Sequence, residues 1–149
     1  MENPLTTQSI ADLINEIRVN PRGFLPHMVK RLEGYEGQKY KDTKGAKFKS
    51  IEGRAACREA LEALESSPDL EALQCEDELF QIAQKHCDDL SEHGLISHSG
   101  SDGSTIEVRV ERLGNWGGKL KECIAVQAST TMDIVLKWLI DDGVKSRGD

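Results

Sequence analysis

Three side chains in this sequence have the types a reactive or ligand-holding site needs: His98, Glu122 and Asp141. Glu122 lies in Lys119 to Val126, a stretch that alternates like a strand. Leu120, Glu122, Ile124 and Val126 share one face, and Lys121, Cys123 and Ala125 share the other. A carboxylate in an apolar row requires an ion pair, hydrogen bonds or a metal; the same alternation also describes a solvent face. His98 sits in a serine- and glycine-rich loop, Leu95 to Gly103, a setting for binding groups and equally for a solvated imidazole. Asp141 follows Trp138 by one turn at a helix end, where the helix dipole disfavours an acid. Imidazole with carboxylates suits a divalent metal such as zinc, or general acid/base work. Spacing along the chain does not show that the three meet. Cys123 neighbours Glu122 but points to the opposite face, so no Ser or Cys nucleophile is assigned. Neither a phosphate-cradling glycine loop nor a Gly-x-Ser-x-Gly elbow is present.

The elements that must position these groups are mostly helical. Ile10, Leu13, Ile14 and Ile17 make one apolar stripe, which predicts a helix over Ser9 to Val19 capped by Thr7 or Ser9. Asn20-Pro21 ends it and opens a second short helix, with Asn20 as cap and Pro21 in the first turn. Phe24, Leu25, Met28, Val29 and Leu32 line that helix. Gly34 to Ser50 holds five lysines (Lys39, Lys41, Lys44, Lys47 and Lys49), and its composition reads as a mobile surface loop able to dock an acidic partner. A helix over Ile51 to Glu65 follows, with Ala55, Ala56, Leu61 and Leu64 inward. Glu76 to His93 carries Leu79, Ile82, Ala83, His86 and Leu90 on one face, with Gly94 as its stop; His86 there reads as a hydrogen-bonded core histidine. Ser104-Thr105-Ile106-Glu107 is a capping box opening a short helix to Leu113. Thr130-Thr131-Met132-Asp133 opens a last helix through Asp141, closed by Gly143, with Val135, Leu136, Leu139 and Ile140 inward.

Composition bounds the function. The 149 residues amount to about one domain, with 38% hydrophobic and 30% charged residues. No apolar run reaches the roughly 20 residues of a membrane span. Met1 to Ile10 does not read as a secretory signal. A net charge of −7 argues against nucleic acid or an anionic membrane as the main partner. The four cysteines, Cys57, Cys75, Cys87 and Cys123, form no CxxC pair, so a zinc ribbon is not expected and reduced thiols are. A cytoplasmic or other intracellular place follows from these readings; the alternative, an extracellular protein with two disulfides, requires a signal upstream.

An ordered set of motifs resembles the CAP superfamily of cysteine-rich secretory, antigen-5 and pathogenesis-related proteins, also called SCP domains. Ile14-Asn15-Glu16-Ile17-Arg18 before Asn20-Pro21 is similar to that family's first helix. Ile96-Ser97-His98-Ser99 resembles its His-Ser loop. Asp102-Gly103-Ser104-Thr105 with Arg109 and Gly114 resembles its bacterial-like branch. Lys121-Glu122-Cys123-Ile124 stands where the family has Gly-Glu-Asn-hydrophobe, and Val135 to Asp142 resembles its Trp-containing helix. The resemblance implies an α+β fold, an α-β-α sandwich around a mostly antiparallel sheet. Many members hold a divalent metal in a cleft of two histidines and two acids. By position, His98 is the first histidine, Glu122 the first acid and Asp141 the second acid. The departures are Cys123 in place of Asn, an Asp in place of the commoner Glu, and no second histidine. Ser146-Arg147-Gly148-Asp149 stands where the bacterial-like branch has Gly-His-Arg. The resemblance therefore implies a three-ligand or degenerate cleft.

The resemblance also places the family's final strands beyond Asp149. The chain then reads as one domain over 1–149, incomplete at its C-terminus, helix-rich for that reason, and carrying a lysine-rich insertion at about 34–50. Exposed sheet edges would make it stable only within an assembly or a longer polypeptide. The leading functional expectation is a non-catalytic binding or interaction module whose partners are other proteins. The alternatives are a metal-, lipid- or sterol-binding cleft around His98, Glu122 and Asp141, and a hydrolase using His98 and Glu122. No cofactor beyond such a metal is expected.

Overall fold

The computed structural model describes residues 4–148. Met1, Glu2, Asn3 and Asp149 lie outside the described residues, and with them the first residues of the polar start and the last of the Ser146–Asp149 segment. The described residues contain six α-helices and one three-stranded antiparallel sheet, an α+β fold rich in helix. They separate into two compact units, 1–73 with 127–149, and 74–126.

The first unit is built on its helices. Helix α1 spans Thr7–Val19 and is capped by Thr6, one residue before the expected caps. Thr6 Oγ1 accepts from the Ser9 amide while Ser9 Oγ accepts from the Thr6 amide, both at 3.0 Å. Asn20 ends α1, and its side chain accepts from the Gly23 amide to cap the 3-10 turn Pro21–Phe24, as the Asn-Pro pair requires. Helix α2, Leu25–Glu33, continues from that turn. Helix α3, Arg54–Ser66, buries Ala56, Cys57, Ala60 and Leu64, while Ala55, expected inward, is exposed. Helix α6, Thr131–Ile140, is capped by Thr130 and buries Val135, Leu136 and Ile140. It ends one residue before its expected limit, because Asp141 takes the left-handed conformation and stands as the C-cap. These helices close a core around Met28, Cys57, Val135 and Leu136.

Residues 34–50 are not the mobile loop that their composition suggests. They form a meander of β1 (Tyr35–Glu36), β2 (Lys39–Lys41) and β3 (Lys47–Lys49). The lysine count masks a period of two: Tyr40 pairs across the strands with Phe48, flanked by Lys39 opposite Lys49 and Lys41 opposite Lys47. Tyr35 and Tyr40 are buried, with ring centroids 5.4 Å apart. The 42–46 turn is fixed twice. Asp42 Oδ1 accepts from the Lys44 and Ala46 amides. The Thr43 amide and hydroxyl both donate to Asp133 at the start of α6. Asp133 is buried, and its Oδ1 lies 2.6 Å from Arg31 Nη2, whose guanidinium also lies over the Tyr40 ring. Such a buried carboxylate is held by having its lone pairs filled.

Asn15 and Arg18 of α1 tie down the irregular segment after α3. Asn15 donates to the Leu73 carbonyl and accepts from the Leu73 amide. Arg18 donates to the Glu71 carbonyl, and its own carbonyl accepts from Leu70.

The second unit is smaller. Helix α4, Asp77–His93, ends on Gly94 at φ 63° and buries Ile82, His86 and Leu90; Ala83 is exposed. Helix α5, Ile106–Glu111, is capped by Thr105 rather than Ser104 and stops before Leu113. Lys119 to Val126, expected as a strand, forms neither strand nor helix, since no second segment of the unit pairs with it. The alternation survives in burial only as far as Ile124: Leu120, Glu122 and Ile124 are half-buried and Lys121 and Cys123 exposed, but Ala125 is half-buried and Val126 exposed, the reverse of the expected pattern.

Candidate functional site

The second unit brings together four side chains. Glu122, 14% exposed, is the centre. Its Oε1 is 2.9 Å from His98 Nδ1 and 3.7 Å from His86 Nε2. Its Oε2 accepts from Arg109 Nη2 at 2.5 Å. The costly carboxylate of the apolar row is therefore satisfied by ion pairing, one of the solutions its position demanded. Elements explain each placement. The α4 stripe carries His86 inward, the loop after Gly94 returns His98, and α5 points Arg109 back.

Arg109 does more than pair with Glu122. Its Nη1 donates to the carbonyls of His98 and Ser104, at 3.1 and 2.8 Å, which fixes the loop bearing His98. His86 Nε2 stands 3.0 Å from the Ser97 carbonyl, which can only accept, so this nitrogen carries the proton. The same loop is pinned from α4 by Asp89, which accepts from the Ser101 amide at 2.7 Å and from the Ser101 hydroxyl. Those bonds hold the Asp89 carboxyl below its ordinary pKa. Asp102 is held lower still by Ser104 and Arg112.

Of the three residues singled out by type, His98 and Glu122 are in contact, while Asp141 belongs to the other unit, where it caps α6. His86 and Arg109 are the members that residue types alone did not mark. The available signal for His86 was a polar ring on an apolar stripe, and for Arg109 a cation one turn inside a capped helix. The site does not fit a divalent cation as it stands: both Glu122 oxygens are engaged, and the Arg109 guanidinium adds a fixed positive charge beside them. Among the described residues no three His, Cys, Asp or Glu side chains are gathered to hold a metal ion. No serine or threonine hydroxyl hydrogen-bonds His98 among the described residues.

No helix among the described residues is long and apolar enough to cross a membrane. No curated protein and no solved structure matches the chain significantly. The model of the CAP family, the cysteine-rich secretory protein family, matches residues 11–148. That match takes in all six helices except the first residues of α1, the sheet, and the Glu122 cluster, and it covers the ordered motifs from Asn15 to Trp138: the chain belongs to the CAP family.

Proposed function

We propose that this chain is a non-catalytic CAP module that docks an acidic protein through its lysine hairpin, as part of a larger polypeptide or assembly. The observation that carries this is the register of β2 and β3. Lys39 faces Lys49 and Lys41 faces Lys47, so four ammonium groups share one exposed face while Tyr40 and Phe48 turn to the other. Like charges directly opposite each other destabilise a sheet, and an acidic partner relieves that repulsion. The chain's net charge of −7 favours a compact acidic epitope over a polyanion the length of a nucleic acid. An intracellular place is part of the same proposal, supported by the free thiols of Cys57, Cys75 and Cys87.

Non-catalysis is supported by Glu122, whose two oxygens are held by His98 and Arg109, the geometry of a structural ion pair that fixes the loop. A second reading, a ligand seat at His98 and Glu122, is favoured by one observation: the His98 side chain is 62% exposed although its Nδ1 is held. Its ring edge is thus presented to solvent in a fixed orientation.

Native mass spectrometry of the protein isolated from its source tests both. The expected result is a complex with an acidic protein that persists in wild type. It should be lost when Lys39, Lys41, Lys47 and Lys49 are replaced by Ser, with the helical circular dichroism unchanged. A bare chain carrying zinc that disappears in His98→Ala would overturn the proposal in favour of the second reading.

A further inference from the structure

Charge in this chain is divided along its length. From Glu59 to Gln84 stand eight acidic residues and no lysine or arginine, more than the whole net charge of −7. From Lys39 to Lys49 stand five lysines and one acid, Asp42, whose Oδ1 is committed to the Lys44 and Ala46 amides. Asymmetry of this kind bears on association rather than on fold.

Within the first unit neither set meets its counter-charge. Lys39, Lys41, Lys47 and Lys49 are exposed, and none of them makes an ion pair among the described residues. Glu62 and Glu65 lie one turn apart on α3, and Asp69 and Glu71 lie on the irregular segment after it. These four are also exposed and also without an ion pair among the described residues. Glu59, one turn earlier on α3, is already engaged by Arg147 at 2.9 Å. The acidic segment is preorganised through its backbone. The Leu70 amide donates to the Arg18 carbonyl at 2.7 Å, Arg18 Nε donates to the Glu71 carbonyl, and Asn15 holds both backbone groups of Leu73. Its side chains are left over for a partner, with little ordering to be done on binding. Four carboxylates against four ammonium groups leave no surplus charge. Leu70 and Leu73, among the acids, and Ile51, two residues past Lys49, are exposed too. Each patch therefore carries apolar area as well as charge, the composition of a protein interface.

We propose that the lysine face of the hairpin docks the acidic 62–71 surface of a second copy of this chain. This rests on the reading of the hairpin as a docking surface and identifies its acidic partner as the chain itself. The contact joins two different patches. Made reciprocally between two copies it closes a dimer; made once per copy it runs head to tail.

The test is sedimentation velocity of the full chain at about 0.01 M and 1 M salt, where the screening length falls from about 30 to about 3 Å. Association with a Kd on the order of 100 μM is expected at low salt, weakened at least about tenfold at high salt. Two charge-reversed chains make the assignment specific. One carries Lys39→Glu, Lys41→Glu, Lys47→Glu and Lys49→Glu; the other carries Glu62→Lys, Glu65→Lys, Asp69→Lys and Glu71→Lys. Each alone should be monomeric with unchanged helical circular dichroism, and the mixture of the two should associate again. A dimer or a series of larger species would each support the proposal and tell reciprocal from head-to-tail contact. A wild-type chain that stays monomeric at about 1 mM in low salt would overturn it, as would association that survives either reversal or 1 M salt. A native complex with a different acidic protein, still lost with the four lysines, would then leave the docking surface standing; its absence would remove both.

Discussion

Arg109 and Glu122 are the pair on which the second unit's loops depend. Both are largely withdrawn from water, so removing one leaves the other as an uncompensated buried charge. Arg109→Met should therefore lower stability by about 3 kcal/mol in urea unfolding, whereas His98→Ala, at an exposed ring, should cost well under about 1 kcal/mol. Thiol chemistry separates the cysteines in the same way. Burial pushes the Cys57 thiol up to about 11, and it lies inside the core. Cys87 is also raised, first by desolvation and then by Asp88 and Glu122. Iodoacetamide at neutral pH should thus label Cys75 first and leave Cys57 untouched until the chain unfolds; labelling of native Cys57 would contradict its packing. His98 and Glu122 were legible as chemistry because their types are unusual in their settings. His86 was legible only as a core histidine, since nothing in a helical period tells which carboxylate a buried ring will meet.

Elements with strong local signals formed close to where the sequence places them. The Asn20-Pro21 break, the Gly94 stop and the Thr130 cap all act through the backbone within a few residues, so no tertiary context was required. The two errors about strands have a single cause. Periodicity of two reports a surface that can pair and says nothing about whether a partner exists. The 35–49 segment supplies its own partners through two tight turns, and 119–126 has none within its unit. The lysine hairpin gives a sharp test of this account. Lys47→Glu converts the pair opposite Lys41 from repulsive to attractive, and should raise stability by about 0.5 kcal/mol. A loss instead would mean that the cross-strand ammonium groups do not sense each other. At the end of α4, Gly94 holds φ 63°, and Gly94→Ala should cost about 1 kcal/mol, read by thermal unfolding.

The whole molecule's response to pH follows from carboxylates held low and one imidazole held high. Glu52 is depressed first by Arg147 and then by the Gly143 amide, Asp89 by Ser101, and Asp102 by Ser104 and Arg112. Their contributions are full above the ordinary carboxylate range and vanish as the pH falls through the depressed values. His93 has the opposite sign: its pKa is raised, chiefly by its bond to Asp89, so its share is present below 6.5 and fades as the pH rises through the folded value. Thermal scans should show a steep acid limb and a shallow decline on the alkaline side of 6.5, and His93→Gln should flatten only the latter. Reading the family from ordered motifs was feasible because they are spread over the whole chain. The division into two units was not legible, because it depends on which distant segments touch. One consequence of that division concerns synthesis. The first unit is discontinuous: α6, which supplies Val135, Leu136 and the Asp133 that receives Arg31, is made only after the whole of 74–126. On the ribosome the N-terminal helices must wait with their apolar stripes uncovered and the Arg31 guanidinium unneutralised while the second unit is translated. The nascent chain is thus a natural client for chaperones until its final helix emerges.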